Sequence, residues 1–453
     1  MSTPRTETDS FGTLELPQDA LWGVQTARSL HFFAIGTQRM PLEIIHALAH
    51  IKGAAATVNA QLGLLDDTKA QAIAAAAQRI ARAERDGAFV LSVWQTGSGT
   101  QSNMNVNEVI AALAGQAGVR VHANDDVNLG QSSNDVFPTA MHIAALQQTR
   151  SLLLPALHAL QETLLEKAVA FKDLTKVGRT HLQDATPVTL GQEFGGYAAQ
   201  LALCLGSLQQ ALGPVGALAI GGTAVGTGLN THPEFGSRVA ALLATRLRLP
   251  LRRADNLFAA MAGHEALVML HASLRLLAIA LNKIANDIRL MGSGPRAGLG
   301  ELLLPQNEAG SSIMPGKVNP TQVEALCMVC AQVMGHDVAI GMAAAQGQLE
   351  LNVYKPLIAL NVLDSLRLLG DAMQSFRQHC VRGLEANLPQ LARDLEQSLM
   401  LVTALSPHIG YDRAALVARQ AQLHGCSLRE AALQQGAVTA AQFDAWVDPR
   451  AML

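Results

Sequence analysis

From Pro138 to Phe171 the chain reads PTAMHIAALQQTRSLLLPALHALQETLLEKAVAF, with Ala140, Ile143, Ala144, Leu146, Leu152, Leu153, Leu157, Leu160 and Leu164 at helical spacing. Only Pro155 interrupts the pattern. Similar segments run from Thr189 to about Ala211, from Asn256 to about Met291 and from Pro320 to about Met342. Helices this long, apolar on more than one face, have to be buried among others. The spacing therefore predicts an all-α fold built on a long-helix bundle.

Composition narrows the function classes. Of 453 residues, 49% are hydrophobic and 15% charged, enough apolar material for a large core and, by length, for two or three domains. A net charge of -3 with 4% aromatic residues leaves little for phosphate neutralisation or base stacking, so nucleic acid is not an expected partner. The five cysteines, odd in number and set in apolar helical contexts, point to a reducing compartment and a cytoplasmic location. Cys327 and Cys330 form a C-x-x-C inside a helical pattern, with no second pair or nearby His, and are expected to be buried structural thiols. Met1 to Ser10 carry Arg5, Glu7 and Asp9 and no apolar run, so no signal peptide is expected. Leu267 to Leu281 is broken by His271, Ser273 and Arg275, too short and too polar for a membrane span.

Four loops between the long helices are rich in Gly, Ser, Thr and Asn: Trp94 to Asn105, His122 to Asp135, Gly178 to Asp184, and Gly310 to Pro320. One such loop is ordinary turn and cap chemistry. Four of them joining long helices point to an anion-binding site.

Gly310 to Asn319, GSSIMPGKVN, matches G-S-S-x-M-P-x-K-x-N throughout, the signature of the fumarase/aspartase superfamily, which the chain resembles. Gly316 between Pro315 and Lys317, Gln101 after T-G-S-G-T, and the run from Gly178 to Pro187 look like the class II, metal-free fumarase branch. The resemblance extends from Leu21-Trp22-Gly23 through Gly221 to Gly228 and on to Ser406–Tyr411. It implies three helical domains, near residues 1–130, 131–386 and 387–453, with a central bundle that assembles in a homotetramer into a core of roughly twenty helices. It also implies reversible hydration of fumarate to L-malate by anti addition or elimination of water, through an aci-carboxylate intermediate and without a cofactor.

On that resemblance Ser311 takes the C3 proton, His181 serves the C2 oxygen, and Glu324 orients and charges His181; the other reading of Glu324 is a helix-surface acid. Lys317 and Asn319 suit the charge that develops on the intermediate, because preorganised donors aimed at such charge are worth roughly 2.7 to 4 kcal/mol each. Ser98, Thr100, Ser132, Ser133, Asn134, Thr180 and Ser312 supply uncharged donors for the substrate carboxylates. The other histidines, such as His264 and His271 within helices, are expected to be satisfied core or surface residues. No cluster has metal-ligand spacing, so no metal is expected.

The resemblance further implies a second anion site at His122, Asn124 and Asp125. Here the sequence departs from the pattern: Ala123 replaces a usual Pro, Leu129-Gly130 a usual Lys-Ser, and only Arg120 remains of the upstream basic residues. The loop is expected to be looser and less attractive to anions. Ala309 likewise replaces a Pro before the signature.

Assembly has an independent hint. Asn134 and His181 flank one long helix whose ends stand roughly 45 to 50 Å apart. If both touch one small dicarboxylate, they come from different chains. The competing readings are an aspartase-like lyase releasing an amine and a non-catalytic structural relative. Loop wording opposes the first, and joint retention of Ser311, His181, Lys317, Asn319 and Glu324 opposes the second.

Overall fold

In the computed structural model, which describes residues 4–453, the helix Ser133–Gln148 passes through a π-turn, Thr149–Leu153, into the helix Leu154–Ala170 without leaving helical backbone. The π-turn answers Pro155. A proline has no N–H for the carbonyl four residues back and its ring crowds it, and one widened turn relieves both faults. The rod is about 57 Å long at about 1.5 Å per residue. Met1 to Thr3, the start of the segment read for a signal peptide, lie outside the described residues.

Among the described residues there are seventeen α-helices and four two-stranded sheets, so the fold is all-α as expected. Two of the other long segments form the helices Leu190–Val215 and Thr321–Ala344. The segment from Asn256 to Met291 is corrected: it is two helices, Leu257–Ala262 and Glu265–Met291. Gly263 is extended there, ending the first helix, and His264 opens the second by accepting from Leu267 and Val268 N–H. Helical glycine costs about 1 kcal/mol relative to alanine, which favours a break.

Contacts divide the chain into two compact units. The first takes residues up to Pro155, Leu205–Ala278 and Ala331–Gly370. Within it the helix Leu42–Gln61 packs against Asp67–Ala81, Ser133–Gln148 and Phe235–Leu247, burying Ile44, Leu48, Ile51 and Val58 completely or nearly so. The second takes Ala156–Cys204, Ile279–Cys330 and Asp371–Leu453. It holds an antiparallel hairpin, Thr175–Thr180 with Gln183–Thr189, packed against the helix Leu388–Gln397. Leu405, Val417, Ala431 and Phe443 form a separate small core near its end.

Two helices, Glu265–Met291 and Thr321–Ala344, are long and apolar enough by length and composition to cross a membrane. Half of the apolar window of the first is buried within the chain, as in a core helix, and only 22% of the second. Met328, Val338 and Met342 on the second stand in the open. His271 is the satisfied core histidine expected, bonded to Asp337 Oδ1 and Ser365 Oγ, each at 2.9 Å. His264 is not: it is buried with neither ring nitrogen partnered among the described residues, and burial holds it well below its usual range. All five cysteines are free; burial pushes the Cys330 thiol up to about 12 and raises Cys327, which is only half-buried.

Candidate active site

In the first unit two helix starts meet through their hydroxyls. The Ser98 and Thr100 hydroxyls lie 2.8 Å apart, and Thr100 Oγ1 is 2.7 Å from Ser133 Oγ. Thr100 opens the helix Thr100–Gln116 and Ser133 opens the rod. Gly99 allows this approach: its φ is +77°, and a Cβ there would stand 2.2 Å from the Phe137 ring. Helix starts present free N–H groups and the positive end of the helix dipole, which suits a carboxylate.

Ser132 caps the rod, accepting from Asn134 N–H, while its own N–H donates to Asp135 Oδ1 at 3.0 Å. Asp135 also accepts from Gly221 and Thr223 N–H at 2.9 and 3.0 Å, pinning the Gly221–Thr223 turn to the rod. Burial pushes the Asp135 carboxyl up to about 6 despite these bonds. Asn134 Nδ2 donates to Ala224 O. Beneath the loop, Lys52 Nζ, Asn103 Nδ2 and Asn107 Nδ2 all donate to Asn128 Oδ1, at 2.7, 3.2 and 3.3 Å. Burial brings Lys52 down to about 7.

The second unit holds the signature loop. Ser311 Oγ accepts from Ile313 N–H at 3.2 Å and Met314 N–H at 2.9 Å, an arrangement that favours negative charge on that oxygen. Gly310 N–H donates to Lys317 O at 3.1 Å, and Asn319 Nδ2 donates to Gly310 O, closing the loop. A Cβ on Gly310 would lie 2.3 Å from Lys317 O, so only glycine fits there. Ser312 and Lys317 are exposed, as is Glu324 in the first turn of Thr321–Ala344.

The segment Gly178–Asp184, read from the sequence as a loop between helices, is instead the tip of the hairpin. Thr180 pairs with Gln183, leaving His181 and Leu182 as a two-residue turn with φ of +57° and +61°. Such turns favour Asn and Gly; a side chain such as Leu in the left-handed region costs about 1–2 kcal/mol. Thr175, Val177, Thr186, Val188 and Thr189 were the β-branched signal for these strands. His181 and Thr180 are exposed, and within the single chain, among the described residues, the His181 ring bonds to neither Ser311 nor Glu324.

Behind the turn lies a charged network that the sequence reading missed. Arg179 Nη1 and Lys176 Nζ both face the fully buried Glu301, at 2.5 and 3.3 Å, and Lys176 also donates to Glu193 at 2.9 Å. Its sequence signal was a lone acid in the apolar run Leu299-Gly300-Glu301-Leu302-Leu303-Leu304.

At the weakened second anion segment, His122, Asn124 and Asp125 sit exposed around the π-turn Ala123–Val127. His122 Nδ1 accepts from Asp125 N–H at 3.1 Å, and His122 N–H donates to Asp126, itself paired with Lys69 at 2.9 Å. The adjoining groove of about 380 Å³ also presents Arg5 together with the carboxylates Glu7, Asp9 and Glu108, so it offers an anion little net attraction. Among the described residues no group of three or more His, Cys, Asp or Glu is placed to hold a metal ion.

Comparison with known proteins accounts for nearly the whole chain. Residues 12–335 match a family described as Lyase, and residues 401–453 match one described as Fumarase C C-terminus. The fumarate hydratase class II of Chromobacterium violaceum is 60% identical, covering 100% of this chain and 99% of the relative. That of Thermosynechococcus vestitus is 58% identical over 99% of this chain and 98% of the relative. The crystal structure of recombinant class II fumarase from Schistosoma mansoni matches with a TM-score of 0.97 at 44% identity, covering 99% of each chain. The chain belongs to the class II fumarate hydratase family of lyases.

Proposed function

We propose that the chain catalyses the reversible hydration of fumarate to L-malate, as a homotetramer in the cytoplasm, with no cofactor. The observation that carries the chemistry is the Ser311 hydroxyl, which accepts two backbone N–H groups inside the signature loop. Those donors favour an alkoxide, and an alkoxide is strong enough to take a poorly acidic C3 proton.

In the dehydration of L-malate the C3–H bond breaks, its proton goes to Ser311 Oγ, and the electron pair enters the neighbouring carboxylate as an aci-carboxylate. Lys317 and Asn319 meet that added charge. The pair then returns to form the C2=C3 double bond as the C2–O bond breaks, and His181 protonates the departing hydroxide to water; Glu324 orients and charges His181. General acid-base help of this kind contributes about 10² to 10⁴ in rate. The hydroxyls of Ser98, Thr100, Ser132, Ser133, Thr180 and Ser312 and the Asn134 amide hold the substrate carboxylates.

Assembly is supported by two observations. Asn134 opens the helical stretch Ser133–Ala170 and the His181 hairpin follows that stretch in the chain, so one chain alone is poorly suited to bring both to one small molecule. The open apolar residues Met328, Val338 and Met342, on a helix with only 22% of its apolar window covered, suit burial against further copies.

The reading is tested by parallel assays with L-malate, aspartate and argininosuccinate. Fumarate from malate alone is expected, and product only from either amine-bearing substrate would overturn it.

A further inference from the structure

We propose that Glu301 is a positioning residue for the proposed reaction, holding the His181 turn through Arg179. The inference rests on the role proposed for His181. That turn is strained at both residues, with φ of +57° and +61°, so what holds the strands beneath it sets where the imidazole stands.

Side chains alternate along a strand, so Lys176 and Arg179, three residues apart, belong on opposite faces. The pairing instead shifts register between Val177 and Arg179. The extra residue lies on the partner strand, where Ala185 and Thr186 oppose Gly178, and a Cβ on Gly178 would stand 2.5 Å from Thr186 O. Both cations nonetheless reach one carboxylate, Glu301.

Glu301 is a fixed anchor. Its N–H donates to Met291 O at 2.8 Å, its carbonyl accepts from Asn387 N–H at 2.9 Å, and its side chain is fully buried. Oε1 takes Arg179, whereas Oε2 faces Lys176 at 3.3 Å and, among the described residues, has no hydrogen bond of its own. Arg179 also lies 3.9 Å from Asp184 and from Asp394, both more exposed than Glu301. Removing one partner of a buried pair leaves the other charge stranded, so the geometry depends on Glu301 being there.

Stability and positioning separate because the network has two arms. Among the described residues Glu193 pairs only with Lys176, whereas Glu301 faces Lys176 and also holds Arg179, two residues before His181. In the full chain, Glu301→Gln is expected to lower kcat roughly 10- to 100-fold, with KM within about 3-fold. Glu193→Gln should lower the melting temperature comparably yet keep kcat within about 3-fold. Arg179→Lys keeps the charge but loses the guanidinium fork, and should reproduce the kcat loss if Glu301→Gln does not fold. Amide exchange at His181 and Leu182 should quicken in Glu301→Gln and Arg179→Lys and not in Glu193→Gln. The proposal is overturned by unchanged kcat and exchange in Glu301→Gln, or by equal kcat losses in Glu301→Gln and Glu193→Gln. Should the parent chain turn over no malate, the functional reading fails, while the exchange comparison still decides whether Glu301 holds the turn.

Discussion

At the scale of single residues, Ser311 and His181 should fail differently. Ser311→Ala is expected to slow turnover about 10² to 10⁴-fold while barely changing affinity for a malate-like inhibitor, because its contribution belongs to the transition state. His181→Asn should also slow turnover but keep exchange of the malate C3 proton with deuterated solvent, provided the carbanion forms before the hydroxyl leaves. Exchange kept in Ser311→Ala and lost in His181→Asn would reverse the two roles. The signature loop was legible because its partners are close in sequence: Ser311 with Ile313 and Met314, Gly310 with Lys317 and Asn319. The bond from Arg179 to Glu301 spans 122 positions, and nothing local announces it.

Among the elements, the long helices were readable because a wide apolar stripe repeats over many turns and outweighs a single proline. The hairpin was not, since its strands are short and its turn carries His and Leu where Asn and Gly are the recognisable residues. The break at Gly263 was missed because apolar spacing continues on either side of it. The turn geometry is itself testable. Leu182 is exposed and left-handed, so Leu182→Asn, which tolerates that conformation, should stabilise the fold by about 1 kcal/mol. A fall in melting temperature would contradict a turn with both residues left-handed.

For the whole molecule, burial of two lysines sets a pH dependence. Burial lowers Lys52 and Lys355 from 10.5 to about 7, so above pH 7 the unfolded chain binds more protons than the folded one. Stability then rises with pH, by up to about 1.4 kcal/mol per unit for each lysine. Burial raises Cys204, Cys330 and Cys380 from 9.0, which acts oppositely once pH passes 9. The melting temperature should therefore climb between pH 7 and roughly 8.5, and less steeply in Lys52→Met; equal slopes would show that Lys52 stays charged. The same scale decides how the site is assembled. The most direct measurement mixes two weakened variants, Asn134→Asp, which sets a carboxylate against the substrate, and His181→Asn, and lets their subunits exchange. If each site draws these residues from different chains, random hybrids regain about a quarter of the wild-type malate turnover, the product of two independent halves. A mixture no more active than its parents would contradict a site shared between subunits.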